Sequence, residues 1–453
     1  MAVEVLAPID GARARSNLPA MGMRKIAFVL LVVVLNVACG ASPSAQQDAG
    51  EVAPDATMTD TGVLSTGMDA TTSSDTSPSS HEDSMAGDST TSVDASPHDG
   101  APITDAPTFS LGMASCSATP PPGAPHAAPP KAYSQGTCPT LMPGTNNFVT
   151  AGTGMRDFIL VVPENFDPTR EHPPLAFLWH WLGADANSFL VTADVQDAVN
   201  RLRFIAVIPD SLKGTTPPGL NFDWPFSSID TGCLTYSSDA GTGCEARFQD
   251  ELTFFDDMLS CVSAQYPVNL DCVSSVGVSA GALWTAQLAP WRSEYISAME
   301  VLSGGIGQTD VGGTPNTSSL PDSVAYDWHT ETHVMPSMVL WGGPDDFCIL
   351  LFQQASQNLE KGIEGQGGFI EECIHNCGHA VPPFTAPPDG GQFDVMWDFV
   401  EAHPYWLPPG ESPYQVNGLP VGSPDWCAIG AGNAHIRDGG CADGDIPILG
   451  QCF

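Results

Sequence analysis

The stretch that most constrains this chain is Val273-Ser-Ser-Val-Gly277-Val278-Ser279-Ala280-Gly281-Ala282, a short apolar run ending in Gly-x-Ser-x-Gly. It reads as a strand that turns sharply into a helix with Ser279 at the apex. A serine held on such a strained turn is crowded by its neighbours, and glycine at 277 and 281 removes the side chains that would clash. The hydroxyl is then lifted clear of the backbone. In a chain with 45 glycines the pattern alone is weak, so its surroundings must decide.

Those surroundings alternate apolar runs with helical periodicity. Arg156 to Pro163, Pro174 to Trp179, Phe204 to Pro209, Ala298 to Leu302 and Met338 to Trp341 read as strands. His180 to Asn187 reads as a loop before a helix. Further helices are expected over Asp250 to about Gln265, from the nucleophile turn through Ala289 with Pro290 as its stop, near Leu350 to Leu359, and over Phe393 to Ala402. Strands alternating with helices imply an α/β fold, a mainly parallel sheet with helices on both faces. Sites in such sheets lie at the carboxyl ends of strands.

An activated serine needs a base within hydrogen-bond reach and a carboxylate that holds the tautomer of that base. Met338 to Trp341 runs into Gly342-Gly343-Pro344-Asp345-Asp346, which places an acid just past a strand end. Cys377-Gly378-His379-Ala380-Val381-Pro382 places a histidine in a turn. Serine, acid and histidine therefore occur in the chain order of α/β-hydrolases, each at a loop. His375, His329 and His333 are rival bases, and His180 reads as structural. One oxyanion donor is the backbone amide of Ala280, directly after the nucleophile.

At these residues the chain resembles the α/β-hydrolase esterases related to poly(3-hydroxybutyrate) depolymerases and feruloyl or acetylxylan esterases. The resemblance covers about residues 135 to 405. It rests on Arg156 to Pro163, Pro173-Pro174 with the strand ending in His180, Asp250-Glu251 before Phe254, Gly277 to Gly281, Gly342 to Asp345 and Gly378-His379. It implies Asp345 rather than Asp346 as the acid, Leu182 as the second oxyanion donor, and no cofactor. The chain has Trp181 where relatives have glycine, Trp341 where they have histidine, and Ala282 where they have a second glycine. Trp181, Trp224, Trp284 and Trp341 are candidates to line a substrate cleft.

The resemblance also implies carboxylic-ester hydrolysis by an acyl-enzyme, on a polyester or on a feruloyl or acetyl ester of a plant polysaccharide, by a monomer. Rival readings are a peptidase of the same fold and an inactive, hydrolase-like surface binding protein.

Cys373-x-His375-x-Cys377-x-His379 has the look of a metal set. Four ligands at every second residue of an extended segment span about 20 Å, too far to close one tetrahedron, so no metal is expected. Cys348 is instead expected to pair with Cys373 or Cys377. Cys233 with Cys244, Cys261 with Cys272, and two of Cys427, Cys441 and Cys452 are the other pairings that proximity suggests.

The amino-terminal part is of another kind. Arg24-Lys25, the apolar run Ile26 to Leu35, and small residues before Cys39 read as a secretory signal of lipoprotein type over residues 1–39, with lipidation at Cys39. Simple secretion and an uncleaved anchor are the alternatives. Residues 40–115 carry 12 acidic residues and neither Lys nor Arg, and read as a disordered tether. The catalytic domain is expected over 116–405 and a Cys-containing carboxyl-terminal extension, packed on it, over 406–453. From Cys116 onward 38 acidic residues face 10 basic ones, within a net charge of -38 for the whole chain. Such a charge disfavours nucleic acid and anionic membrane surfaces as partners, leaving an ester substrate and a membrane contact only through a lipid anchor. Thirteen cysteines, twelve without Cys39, suit an oxidising, extracytoplasmic compartment.

Overall fold

The antiparallel strands β1 (Gly144–Thr150) and β2 (Gly154–Val161) open a nine-stranded sheet, with β1 burying alternate residues against the domain. In this computed structural model the described residues are 110–212, 222–227, 230–234, 236–238, 241–307, 325–348 and 350–441. The signal segment with Cys39, the tether through residue 109, and Cys452 lie outside the described residues.

Strands β3 (Leu175–Trp179), β4 (Ile205–Pro209), β5 (Val273–Val278), β6 (Ala298–Leu302), β7 (Ser337–Trp341), β8 (Ile370–Ile374) and β9 (Cys427–Ile429) complete the sheet in the order β1-β2-β4-β3-β5-β6-β7-β8-β9. β2 runs antiparallel to β4, the six strands from β4 to β8 are mutually parallel, and β9 closes the edge antiparallel. The central strands are buried along their length, as expected when helices cover both faces. Leu175 and Phe177 face one core and Ala176 and Leu178 the other, the two-residue period of a strand between two layers.

Helices α1 (Ala186–Thr192), α2 (Val195–Leu202) and α6 (Asp394–Ala402) pack in the layer of Ala176, while α3 (Gly243–Gln265) and α4 (Ala280–Trp291) pack in that of Phe177. Asp185 caps α1 by accepting from the Ser188 amide. α3 begins seven residues before Asp250. Pro290 does not stop α4 at Ala289 but sits inside its last turn, and the helix ends one residue later at Trp291. α5 (Phe352–Gly365) starts after Leu350, because Leu350–Leu351 pairs with Phe347–Cys348 as a small hairpin. Bidentate pairing of Arg156 with Glu251, at 2.8 and 3.1 Å, ties β2 to α3 in the interior.

The disulfides correct most of the proximity pairings. Cys233–Cys244 forms as expected, but Cys261 bonds Cys138 and Cys272 bonds Cys116, across separations of 123 and 156 residues. Cys261 lies inside α3 and Cys272 at the foot of β5, so each meets the amino-terminal segment rather than the other. Cys373 bonds Cys427, its register partner across β8 and β9, and Cys377 bonds Cys441. The bond from Cys348 therefore goes to neither Cys373 nor Cys377, although Cys348 is itself disulfide-bonded. Cys427 and Cys441 likewise do not pair with each other. Among the described residues no helix is long and apolar enough to cross a membrane.

Candidate active site

Ser279 stands between the last residue of β5 and the first turn of α4, with φ 56° and ψ −117°. This is a conformation that a residue with a side chain adopts only under constraint. The constraint is visible. The Ser279 amide donates to Leu302 O at 2.9 Å, and its carbonyl accepts from the Ala282 and Leu283 amides at 2.9 Å each. A β-carbon at Gly277 would run into the Gly281 carbonyl, and one at Gly281 into the carbonyls of Trp179 and His180. Both glycines are therefore required by close backbone approach. The methyl of Ala282 fits because residue 304 opposite is glycine.

A strained serine elbow above the carboxyl edge of a sheet of this order and direction decides the architecture. The chain has the α/β-hydrolase fold. In this fold the loops after β3, β5, β7 and β8 meet over the elbow.

His379 comes from the loop after β8. Its Nε2 accepts from Ser279 Oγ at 2.9 Å, and its Nδ1 donates to a carboxylate at 2.6 Å. That carboxylate is Asp346, not Asp345. Gly343–Asp345 forms a 3₁₀ turn after β7, closed by the Asp346 amide on Gly343 O, so Pro344 and Asp345 point outward and the next residue points in. The second oxygen of Asp346 accepts from Ser303 Oγ and the Gly342 amide, each at 2.7 Å. Gly342 also abuts Gly378 backbone to backbone, accepting from its amide at 3.1 Å, which locks the acid loop to the histidine loop. Phe352 stacks on the His379 ring with centroids 4.4 Å apart. Ser303 and Phe352 carry no motif that spacing reveals.

The rival histidines are elsewhere. His329 stacks on Trp291 and His333 on Tyr405, while His375 Nδ1 accepts from the Cys377 amide. Burial pushes His333 down to about 4. Cys373 and Cys377 are in separate disulfides. The grouping of Glu371, Cys373 and Cys427 contains one of these bonds and offers no thiolate pair.

Leu182, Ser279 and Ala280 line one cleft of about 270 Å³ together with Phe222, Leu283 and Phe352. The loop holding Leu182 is pinned on several sides. Trp224 Nε1 donates to His180 O at 2.8 Å, Asp223 accepts from the Gly183 amide at 2.6 Å, and buried His180 bonds Trp181 O through Nδ1 and the Ser211 amide through Nε2. Arg247 anchors the segment beneath by donating to Phe222 O and Asp223 O and pairing with buried Asp230. Burial raises the Asp230 carboxyl, with the Arg247 charge opposing it.

Three of the four cleft tryptophans are corrected. Trp224, Trp284 and Trp341 are fully buried, and Trp179 makes edge contacts with the first two. All three belong to the core layer of Phe177, Trp284 from α4, Trp341 from the end of β7 and Trp224 from a loop. Trp181 alone of the four reaches an open pocket.

No protein-family model matches the chain, and no curated protein matches it. Similar solved structures include native pOPH, at 18% identity over 65% of this chain and 97% of that one, with a TM-score of 0.47. A ferulic acid esterase is similar at 15% identity over 52% and 89%, with a TM-score of 0.36. An acetyl xylan esterase from Aspergillus awamori is similar at 16% identity over 49% and 81%, with a TM-score of 0.34.

Proposed function

We propose that the chain is a serine carboxylic-ester hydrolase that works through an acyl-enzyme. The observation that carries this reading is His379 bridging Ser279 Oγ and Asp346 within hydrogen-bond distance on both sides. Ser279 Oγ attacks the ester carbonyl while His379 Nε2 takes its proton. The oxyanion that forms is met by the amides of Ala280 and Leu182. Collapse expels the alcohol, which takes the proton back from His379, and water repeats the sequence to release the acid. Asp346 holds the Nδ1–H tautomer and stabilises the imidazolium.

The same reading places the enzyme outside the cytoplasm as a monomer, lipid-anchored through Cys39 or secreted, and acting on polymeric ester at the end of its acidic tether. The five disulfides that join described residues support the oxidising compartment. A fluorophosphonate probe followed by peptide mass mapping tests the central assignment. Label on the peptide holding Ser279 is expected, and an unlabelled active protein would overturn the reading.

A further inference from the structure

The triad leaves a larger space unassigned. A pocket of about 620 Å³, more than twice the open space of the cleft at Ser279, lies at the carboxyl edge of the sheet. Trp181, Phe189, Val278, Leu302, Val381 and Met396 line it. Val278 and Leu302 end β5 and β6. Val278 is the residue before Ser279, Val381 lies two after His379, and Trp181 precedes Leu182. Residues within two positions of the nucleophile, the base and the second oxyanion donor thus wall this one pocket. It belongs to the apolar layer of Phe189 and Met396, whereas the cleft with Leu283 and Phe352 belongs to the opposite layer. The two spaces therefore flank the elbow.

We propose that this pocket receives an aryl or bulky alkyl group on the leaving alcohol of the ester, with Trp181 as its wall. The proposal rests on Ser279 being the esterolytic nucleophile. His379 must return its proton to the leaving oxygen, so the alcohol departs past His379, along the wall that Val381 supplies. The oxyanion donors and the acyl group then occupy the narrower cleft. A lining with Thr192 as its one polar residue cannot replace the hydrogen bonds that sugar hydroxyls make with water, so an apolar alcohol is selected over a carbohydrate.

The test compares kcat/KM for 2-(1-naphthyl)ethyl butyrate and ethyl butyrate, two alkyl esters sharing an acyl group, with ethyl 4-phenylbutyrate as the bulky-acyl control. The full-length protein should prefer the naphthylethyl ester by about tenfold or more, the scale on which pocket filling discriminates. Trp181→Ala, which removes the wall, and Thr192→Trp, which fills the mouth from the exposed end of α1, should each collapse that ratio toward one. The ethyl 4-phenylbutyrate to ethyl butyrate ratio should move far less. Hydrolysis of both butyrates without preference, or a variant effect on the acyl ratio instead, would overturn the pocket assignment while leaving the esterase reading intact. Hydrolysis of neither ester would overturn both.

Discussion

Asp346 Oδ1 lies 2.6 Å from His379 Nδ1, while Asp345, one residue earlier, faces solvent at the end of a 3₁₀ turn. The two adjacent aspartates should therefore behave very differently. Asp346→Asn should lower kcat by about 10³ to 10⁴-fold by losing the tautomer and the counter-charge, whereas Asp345→Asn should change it less than about threefold. Steady-state kinetics on a short-chain ester separates the two. The reverse ranking would assign the acid to Asp345.

The methyl of Ala282 and the bare Gly304 are a complementary pair. Gly304→Ala should destabilise the domain by about 1 to 3 kcal/mol through overpacking. In an Ala282→Gly background part of that cost should disappear, giving a coupling energy of about 0.5 kcal/mol or more in a double-mutant cycle. Chemical denaturation measures it, and strict additivity would show that the two sites do not press on each other.

Arg156 and Glu251 form a buried ion pair whose side chains are 2% and 0% exposed. Arg156 also donates to Asp210 O and lies over the Phe254 ring. Glu251→Ala leaves that guanidinium uncompensated and should cost about 3 to 5 kcal/mol. The midpoint in urea reports it. A loss below about 1 kcal/mol would mean that the pair is more hydrated than its burial indicates.

Buried acids make stability depend on pH in an unusual direction. Burial pushes Glu331 and Glu371 up to about 8 each, and burial together with neighbouring Glu372 and Glu364 pushes Glu360 up to about 9. Each holds its proton in the folded state above the ordinary value of 4.5, so across the window from there to about 9 the folded state binds more protons than the unfolded chain. Stability should fall as pH rises through that window, with self-repulsion of the acidic chain acting the same way. Thermal melts should show a higher Tm near pH 5 than near pH 9. A Tm that climbs steadily over the same range would contradict the assignment of these protons.

The elbow, the central strands and the histidine were legible in the sequence because each is local. Gly277 and Gly281 state a backbone constraint, continuous apolar runs state two-sided burial, and the histidine follows a glycine with φ 66° at position 378. Asp346 was not legible, because the choice between two adjacent carboxylates is made by one turn of 3₁₀ helix. Ser303 and Phe352 reach the site from separate segments, and no spacing rule connects them to His379. Trp284 and Trp341 lie near the site along the chain yet are buried beneath it, and Trp224 is buried with them. The pairing of Cys261 with Cys272 failed for the same reason, since the two are close in sequence but meet different partners once α3 and β5 are laid down.

The most direct test of the account is the turnover of p-nitrophenyl butyrate by the full-length protein and by Ser279→Ala. Saturable hydrolysis is expected of the former and a loss in kcat on the order of 10⁵-fold or more of the latter, with the fold retained by circular dichroism. Unchanged turnover in Ser279→Ala would contradict it.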